Sequence, residues 1–251
     1  MQSPLQLPGP VPPVSRRVRA LIILPVALLA GMIWPAPSPA AVDGPPPGTV
    51  PAASAENSPA PALSAEARRV ADWIAEEGDN GELPYVVIDK QAARLFVFSA
   101  DGEAIADAPV LIGMAVGDDA TPGVGGKSLS QLGPAEKTTP AGRYLARYGR
   151  AIGRQQVLWV DYATSVALHA VPPATRANRR ERRAARLESP DLADNRITFG
   201  CINVTSAFYR EHIRPLFRPK GGMVYILPDS KSLEEVFPRL HLQGLPPPAE
   251  V

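Results

Sequence analysis

The sequence predicts a β-rich α+β domain, built as a sandwich or barrel with a few peripheral helices. Short apolar segments with a period of two recur between Pro84 and Pro228, which is typical of strands. Turn-forming residues separate these segments at close spacing, as in all-β sandwiches and barrels. Helical periodicity is confined to three places, so the helices are expected at the edges of a sheet core.

The first predicted element is a helix over Ala65–Glu77. Ser64 can cap its first turn, and Gly78 follows its last residue, where glycine commonly ends a helix. Val70, Trp73 and Ile74 recur at helical spacing. This helix is therefore expected to pack one face against the edge of the domain.

The remaining elements are predicted from local periodicity. A turn over residues 99–102 follows the second predicted strand and leads to the third. Two further helices are predicted near residues 176–187 and 206–217. The predicted strands cover residues 85–89, 94–98, 108–116, 144–147, 157–160, 165–169 and 223–227.

The first 40 residues predict an export signal. Three arginines between residues 16 and 19 precede an apolar segment over 20–34, and Ser38 and Ala40 are small residues at the expected cleavage positions. The segment of about 15 residues is shorter than the roughly 20 that a spanning helix needs, which favours cleavage over an uncleaved inner-membrane anchor. We therefore expect a periplasmic or cell-envelope protein that contacts a membrane only through this segment.

Proline marks a boundary in the chain, because half of the 30 prolines precede residue 64. Residues 41–63 are rich in proline and alanine and predict a disordered, semi-extended linker. Residues 64–83 then hold the N-terminal helix, residues 84–229 the β-rich domain, and residues 230–251 a tail that packs weakly or hangs free.

Charge and cysteine content exclude several classes of protein. Lysine and arginine number 26 against 25 acidic residues, whereas a general nucleic-acid-binding protein needs a clear basic excess. The single cysteine excludes an internal disulfide and a cysteine-based zinc cluster. No histidine or carboxylate cluster has metal-ligand spacing, so neither a metal nor an organic cofactor is expected.

Cys201 is the candidate nucleophile. Its alternative role is that of a small buried apolar residue, the commonest one for a lone cysteine. A free thiol is a liability in an exported protein unless it has a function, which favours a role for Cys201. Gly200 permits a close backbone approach beside the thiol. A thiol nucleophile needs a base, and His169, at the end of a predicted strand, ranks above His212 and His241. Its alternative is a structural histidine at a sheet edge.

These residues resemble the catalytic motif of the L,D-transpeptidase (YkuD-type) family. That motif has an upstream histidine and then Ser/Thr-His-Gly-Cys, an apolar residue and Asn or Arg. The matching residues here are His169, Thr198, Gly200, Cys201, Ile202 and Asn203.

A second segment, Thr139-Pro140-Ala141-Gly142-Arg143-Tyr144, resembles the family's Thr-Pro-x-Gly-x-Phe/Tyr signature. The similarity spans roughly Pro84 to Pro228 and implies a β-sandwich-like catalytic fold.

The sequence departs from the family pattern in two ways. Phe199 stands where the family has histidine, beside the thiol. In addition, 28 residues separate His169 from Thr198, and residues 176–186 of this long segment contain six arginines. These arginines form either a basic helix over the substrate cleft, where it would attract the carboxylates of a peptide substrate, or an ordinary solvated helix.

The resemblance implies acyl transfer on peptidoglycan stem peptides. Cys201 would attack the carbonyl of the third residue of a tetrapeptide stem, with His169 as general base and then general acid. Backbone N–H groups around Gly200 and Cys201 would hold the oxyanion, while Thr198 and Asn203 would fix the loop. Further candidate substrate contacts are Arg143, Tyr144, Phe199 and Arg196, with core packing as the alternative for Tyr144.

Attack of the thioester by a stem amine would give a 3→3 cross-link with release of D-Ala, and attack by water would make the enzyme an L,D-carboxypeptidase. The rival class is a non-catalytic wall-binding domain that kept the fold. A papain-like hydrolase is disfavoured because its cysteine precedes its histidine. The expected partners are stem peptides, with no nucleic acid, and the protein is expected to be a monomer.

Overall fold

A computed structural model describes residues 63–151, 155–176 and 178–242 of the chain. The predicted signal over residues 1–40 and the linker up to residue 62 lie outside these described residues. Within them, no helix combines the length and the apolar character needed to cross a bilayer.

The described chain is mainly β-structure with short helices, as the sequence predicts. The strands are β1 Tyr85–Asp89, β2 Arg94–Phe98, β3 Ala104–Pro109, β4 Ile112–Gly113, β5 Gly142–Arg150, β6 Gln156–Asp161, β7 Val166–Ala170, β8 Arg196–Thr198, β9 Ile202–Val204 and β10 Gly222–Ile226. The helices are α1 Ala65–Glu77, α2 Arg183–Leu187, α3 Ser206–Phe208, α4 Arg214–Phe217 and α5 Leu233–Val236, with a π-helical segment at Tyr209–Ile213 between α3 and α4.

Eight strands form one sheet in the order β3-β2-β1-β10-β5-β6-β7-β9. The pairs β1–β10 and β7–β9 are parallel and the other pairs in the sheet are antiparallel. The two ends of the sheet approach each other, because Leu111, just after β3, exchanges both backbone hydrogen bonds with Asn203 of β9 at 2.9 Å. The sheet is therefore nearly closed, like a barrel.

Apolar side chains pack on both faces of this curved sheet. The inner core lies between the strands and the helical segment at residues 206–217, with Leu158, Leu168 and Ile213 completely buried. The outer core joins β1, β2 and β10 to α1 and to the C-terminal helices. Because β1 is buried on both faces, its five residues are all buried rather than alternating.

Helix α1 has the predicted bounds and the predicted caps. The Ser64 hydroxyl accepts a hydrogen bond from the Ala67 N–H at 3.0 Å and donates one to Asp89 at 2.6 Å. Gly78 ends the helix in the left-handed conformation. The buried face carries Trp73, whose ring meets that of Tyr225 edge-on at 6.1 Å. Capping and burial thus fix the helix on the outer face of the sheet.

Outside the arginine-rich segment, two sequence predictions of structure are wrong. The strand predicted over residues 108–116 is not one strand: β3 starts earlier and ends at Pro109, β4 covers only Ile112–Gly113, and residues 114–116 lie in no strand, because the chain turns at Val110 and Leu111 to cross from one sheet edge to the other. Residues 233–242, predicted as part of a loose tail, form α5 and a 3₁₀ turn at Pro238–Leu242 that bury Leu233, Phe237 and Leu240. These apolar side chains cover the outer core and hold the segment on the domain.

Candidate active site

The parallel pair β7–β9 brings the predicted nucleophile and base to one edge of the sheet. His169 is the register partner of Asn203, two residues after Cys201. Cys201 itself lies in the turn between β8 and β9. The strands that position both side chains are anchored by completely buried Leu168 and Ile202, so the site is built on the rigid part of the domain.

The turn before the thiol depends on Thr198 and Gly200. The Thr198 hydroxyl donates to the Cys201 carbonyl at 2.6 Å and accepts from the Gly200 N–H at 3.2 Å. Gly200 has φ +120°, and a Cβ at this position would lie 2.7 Å from the Thr138 carbonyl oxygen. Glycine is therefore required here by both conformation and space. Because its N–H is bonded to Thr198, Gly200 is not a free oxyanion donor.

The sulfur of Cys201 faces the backbone of β7. Its Sγ lies 3.7 Å from the Ser165 carbonyl oxygen, which can accept the thiol proton in a weak hydrogen bond. Burial raises the pKa of the Cys201 thiol, and this effect outweighs the Ala167 N–H and the positive charge of Arg183, which both act to lower it. The resting group is accordingly a neutral thiol near neutral pH.

The imidazole of His169 is held by the carbonyl next to it. Its Nδ1 lies 2.9 Å from the Ala170 carbonyl oxygen, which fixes the proton on Nδ1. The Gln155 amide adds a donor to the same oxygen at 3.4 Å. Burial lowers the pKa of His169; the Ala170 bond opposes this, and the charge of Arg183 adds to it. A neutral imidazole with its base nitrogen at Nε2 results.

Cys201, in the turn before β9, and His169, on the neighbouring strand β7, have no direct hydrogen bond. Among the hydrogen bonds of the described residues, none joins the thiol to the imidazole. Such bonds are commonly long in unliganded sites and tighten when substrate binds. The other candidate bases are less suited: His212 packs against Phe208 in the helical segment, and the side chain of His241 lies outside the description.

A small cavity of about 60 Å³ opens beside the thiol. Phe199 and Cys201 form one side, and residues of the 3₁₀ turns between 124 and 136 form the other. The Lys137 ammonium lies 4.4 Å above the Phe199 ring, a cation–π contact. Phe199 therefore borders the space next to the nucleophile, where the family motif has histidine. The cavity is lined by Ala120, Val124, Lys127, Leu129, Leu132, Glu136, Thr138, Thr164, Ser165, Val166, Phe199 and Cys201.

The arginine-rich segment after β7 reaches the site through Arg183, which bonds to the Asn203 side chain. It contains a 3₁₀ turn at Arg179–Glu181 and then α2, instead of one continuous helix, and Arg182 between them has φ +49°. A cavity of about 300 Å³ beside the segment is lined by Arg179, Arg182 and Arg183 together with apolar residues from 171 to 185. The segment thus places guanidinium groups close to the end of β7.

Two of the predicted substrate contacts, Arg143 and Arg196, lie away from the cavity beside Cys201. Arg143 binds the buried carboxylate of Asp79 and donates to the Asp79 carbonyl at 2.7 Å, on the outer face of the sheet next to Tyr225. Arg196 binds Asp229 at 2.6 Å. The structure therefore assigns these two arginines to ion pairs within the domain, and neither lines the cavity beside Cys201.

Tyr144 has the core role that was its alternative. Its ring packs against the inner core and its hydroxyl donates to the Ala141 carbonyl at 3.0 Å, which closes the turn before β5. Burial raises the pKa of Tyr144 to about 12. It is a packing residue and does not line the cavity next to the thiol.

The structure adds residues that the sequence did not single out. Four residues contact the turn that carries Cys201 or the His169 imidazole, directly or through one residue: Thr139, Gln155, Ser165 and Arg183. Thr139 had a signal in the Thr-Pro-x-Gly segment, and Arg183 lay within the arginine cluster. In the described ranges, no group of three or more histidine, cysteine or carboxylate side chains is arranged to hold a metal.

Comparison with known proteins gives structural likeness only. No protein-family model matches the sequence, and no curated protein matches it. Among solved structures, the catalytic domain of an Enterococcus faecium L,D-transpeptidase is 16% identical at a TM-score of 0.35, over 58% of this chain and 98% of that one. The helical cell shape determining protein Pgp2 of Campylobacter jejuni is 17% identical at a TM-score of 0.38, over 64% and 56%. An L,D-transpeptidase of Xylanimonas cellulosilytica is 17% identical at 0.33, over 58% and 60%.

Proposed function

We propose that this chain is a cysteine acyltransferase of the L,D-transpeptidase type that acts on the peptide stems of peptidoglycan. The observation that carries the proposal is the pairing of β7 with β9, which sets Cys201 beside a neutral His169 whose Nδ1 is fixed on the Ala170 carbonyl. Acyl transfer by a thiol needs these three groups: a nucleophile, a base, and a third group that orients the base.

In the proposed first step, the Cys201 sulfur attacks the carbonyl of the third stem residue while its proton passes to His169 Nε2. The tetrahedral oxyanion accepts hydrogen bonds from backbone N–H groups, for which we assign the Cys201 N–H, since that of Gly200 is bonded to Thr198. The C–N bond to the terminal D-alanine then breaks, and the proton on His169 goes to the leaving amine. The products are a thioester on Cys201 and free D-Ala.

In the second step an amine of a neighbouring stem attacks the thioester and gives the 3→3 cross-link. Its proton returns through His169 to the thiol, so the enzyme is regenerated without an added reagent. Water in place of the amine would give a tripeptide and make the protein an L,D-carboxypeptidase. The cavity beside Cys201 is bordered by Lys127, Glu136 and Phe199 and therefore offers both charged and apolar contacts to the acyl donor.

The cellular setting belongs to the same proposal. The predicted signal over residues 1–40 would export the domain; in the alternative where the signal stays uncleaved as an anchor, the linker over 41–63 would let the domain reach the wall from the membrane. The guanidinium groups of Arg179 and Arg182, both exposed beside the end of β7, suit the carboxylates of stem peptides. We expect a monomer with the wall as its partner.

The test is mass spectrometry of the products formed from disaccharide-tetrapeptide fragments. A cross-linked dimer lacking one D-alanine is the expected result, and Cys201→Ala and His169→Gln should abolish it while both variants stay folded. Tripeptide without dimer would replace transpeptidation by carboxypeptidation. A folded protein that gives neither product, and forms no covalent adduct with a carbapenem, would contradict the enzyme and favour a wall-binding domain.

A further inference from the structure

Arg183 connects the arginine-rich segment to the candidate active site. Its Nη1 donates to the Asn203 side-chain oxygen at 2.6 Å, and its Nε donates to Glu181 at 2.7 Å. Asn203 is completely buried, so water cannot replace Arg183 as the hydrogen-bond partner of its side-chain oxygen. The neighbouring Arg186 is bonded instead to Asp194 and to the Glu181 carbonyl.

The bond from Arg183 determines which way the Asn203 amide points. Because a guanidinium only donates, the oxygen of the amide must face Arg183 and the NH₂ group must face His169. That nitrogen lies 3.1 Å from Nε2 and 3.4 Å from Nδ1 of the imidazole. An atom so nearly equidistant from both ring nitrogens would overlap Cε1 if it lay in the ring plane. It therefore lies over the face of the ring.

An N–H group over the imidazole face has two consequences. It contacts the electron-rich π system of the neutral ring and disfavours the imidazolium, whose face is electropositive. It also leaves the Nε2 lone pair, which lies in the ring plane, free of the Asn203 amide. The ring is thus clamped between the amide on its face and the Ala170 carbonyl at Nδ1, with Nε2 available as the base nitrogen.

We infer that Arg183 is a positioning residue for the acyl transfer proposed above: it fixes the Asn203 amide against His169 and so holds the imidazole as an oriented, neutral base beside Cys201. The inference rests on the proposed function for its catalytic meaning. The long arginine-rich insertion, which departs from the family pattern, is then part of the catalytic machinery through this one side chain.

The groups that face His169 from the surrounding elements are few. They are the Ala170 carbonyl on β7, the Gln155 amide before β6, the Asn203 amide on β9 and, behind it, Arg183 on α2 with its partner Glu181. In the described part of the chain, Arg183 is the charge that acts on the pKa of both His169 and Cys201, and it lowers both values. Burial has the larger effect on each group: it lowers the pKa of His169 and raises that of Cys201. Its removal should raise both pKa values.

The experiment compares Arg183→Gln with Arg183→Lys and the control Arg186→Gln in the full chain. The rate of Cys201 acylation by a carbapenem is followed by mass spectrometry across pH 5 to 9. A rise of half to one pKa unit in His169 would shift the acidic limb of Arg183→Gln to higher pH by the same amount and slow acylation about three- to tenfold at pH values on that limb. Arg183→Lys, which keeps the charge and one donor, should recover most of the rate. Arg186→Gln lies in the same helix and should keep the wild-type limb.

Loss of rate with an unmoved acidic limb, or equal behaviour of the two glutamine variants, would overturn the inference by showing a structural role. An NMR titration of the histidine rings provides a readout that needs no turnover, with His212 as the internal reference. The pKa of His169 should rise in Arg183→Gln, and an unchanged value would also overturn the inference. If the wild-type protein forms no adduct while the His169 pKa still responds to Arg183→Gln, the proposed function fails and the contact with Arg183 stands.

Discussion

The hydroxyl of Thr139 donates to the carbonyl oxygen of Gly200 at 2.8 Å and accepts from the Gly113 N–H at the same distance. One buried side chain thereby ties the turn that carries Cys201 to β4 and to the segment that enters β5. The bond gives the threonine of the Thr139–Gly142 segment a structural role here, because it braces the backbone next to the candidate nucleophile Cys201.

Thr139→Val tests this brace, because valine has nearly the same shape and lacks the hydroxyl. It leaves the Gly200 carbonyl and the Gly113 N–H without their partner in a buried place, which should lower the free energy of unfolding by about 1–3 kcal/mol. We also expect slower acylation of Cys201 by a carbapenem in the folded variant. Chemical denaturation and adduct formation measure the two effects.

A matched control for that substitution is Thr205→Val, which removes a hydroxyl bonded to the Phe208 N–H at the start of α3. It should lower stability by about 1 kcal/mol as a lost helix cap and leave the acylation rate of the folded protein unchanged. Equal rates for Thr139→Val and the wild type would show that the brace serves stability alone.

Gly200→Ala should be far more costly than an alanine at another glycine with positive φ. The new Cβ would combine an unfavourable backbone conformation with a contact of 2.7 Å to the Thr138 carbonyl, for a loss of about 2–5 kcal/mol. Gly78→Ala is the matched control, since φ there is +61° and a Cβ meets nothing within 4 Å; it should cost about 1–2 kcal/mol. Equal melting temperatures for the two variants would show that the turn at residue 200 can relax to accept the new Cβ.

Lys90 is a buried cation that holds the chain around the site together. Its side chain has no exposed surface, and its ammonium contacts Asp118 at 2.9 Å, Asp229 at 3.2 Å and the Thr139 carbonyl at 3.1 Å. Lys90→Met would leave the buried Asp118 carboxylate without its cation and would remove one of the two cations that contact Asp229, the other being Arg196, so stability should fall by about 3–5 kcal/mol. Thermal unfolding of this variant measures the loss, and a melting temperature equal to that of the wild type would contradict a structural role.

The same cluster predicts a pH dependence. Burial raises the pKa of Asp118, but the hydrogen bonds from Lys90 and from the N–H groups of residues 229–231 outweigh it and hold the pKa below its ordinary value. The carboxylate therefore contributes stability that is fully present above about pH 4 and is lost as the pH falls toward the folded-state pKa. Asp118→Asn should lower stability at pH 7 and flatten the acid part of the curve. Asp119→Asn, at an exposed pair with Lys231, should change neither.

The sequence predicts the parts of this molecule that depend on local patterns. Ser64 and Gly78 define α1, and short apolar segments bounded by turn residues define β1 and β2 with their observed bounds. Strands β8 and β9 were missed because three residues are too few to show a period, and they exist through pairing with β4 and β7. The ion pair between Arg143 and Asp79 joins residues 64 positions apart, so its arginine looked free in the sequence. Arg183 likewise resembles the other arginines of its segment in the sequence, and only the fold shows that it contacts Asn203.

The directions of the two active-site pKa values make a prediction about the resting state. The pKa of Cys201 is raised by burial and that of His169 is lowered by burial, so both groups are neutral around pH 7, and a thiolate–imidazolium pair is disfavoured. Alkylation of Cys201 by iodoacetamide should therefore increase about tenfold per pH unit through pH 7 to 9, as the thiolate forms. It should have no plateau below the ordinary thiol pKa. His169→Gln should leave this alkylation profile nearly unchanged while abolishing acylation by a carbapenem, since the imidazole acts only when a substrate draws the thiol toward it. A plateau at acidic pH that disappears in His169→Gln would instead establish a preformed ion pair.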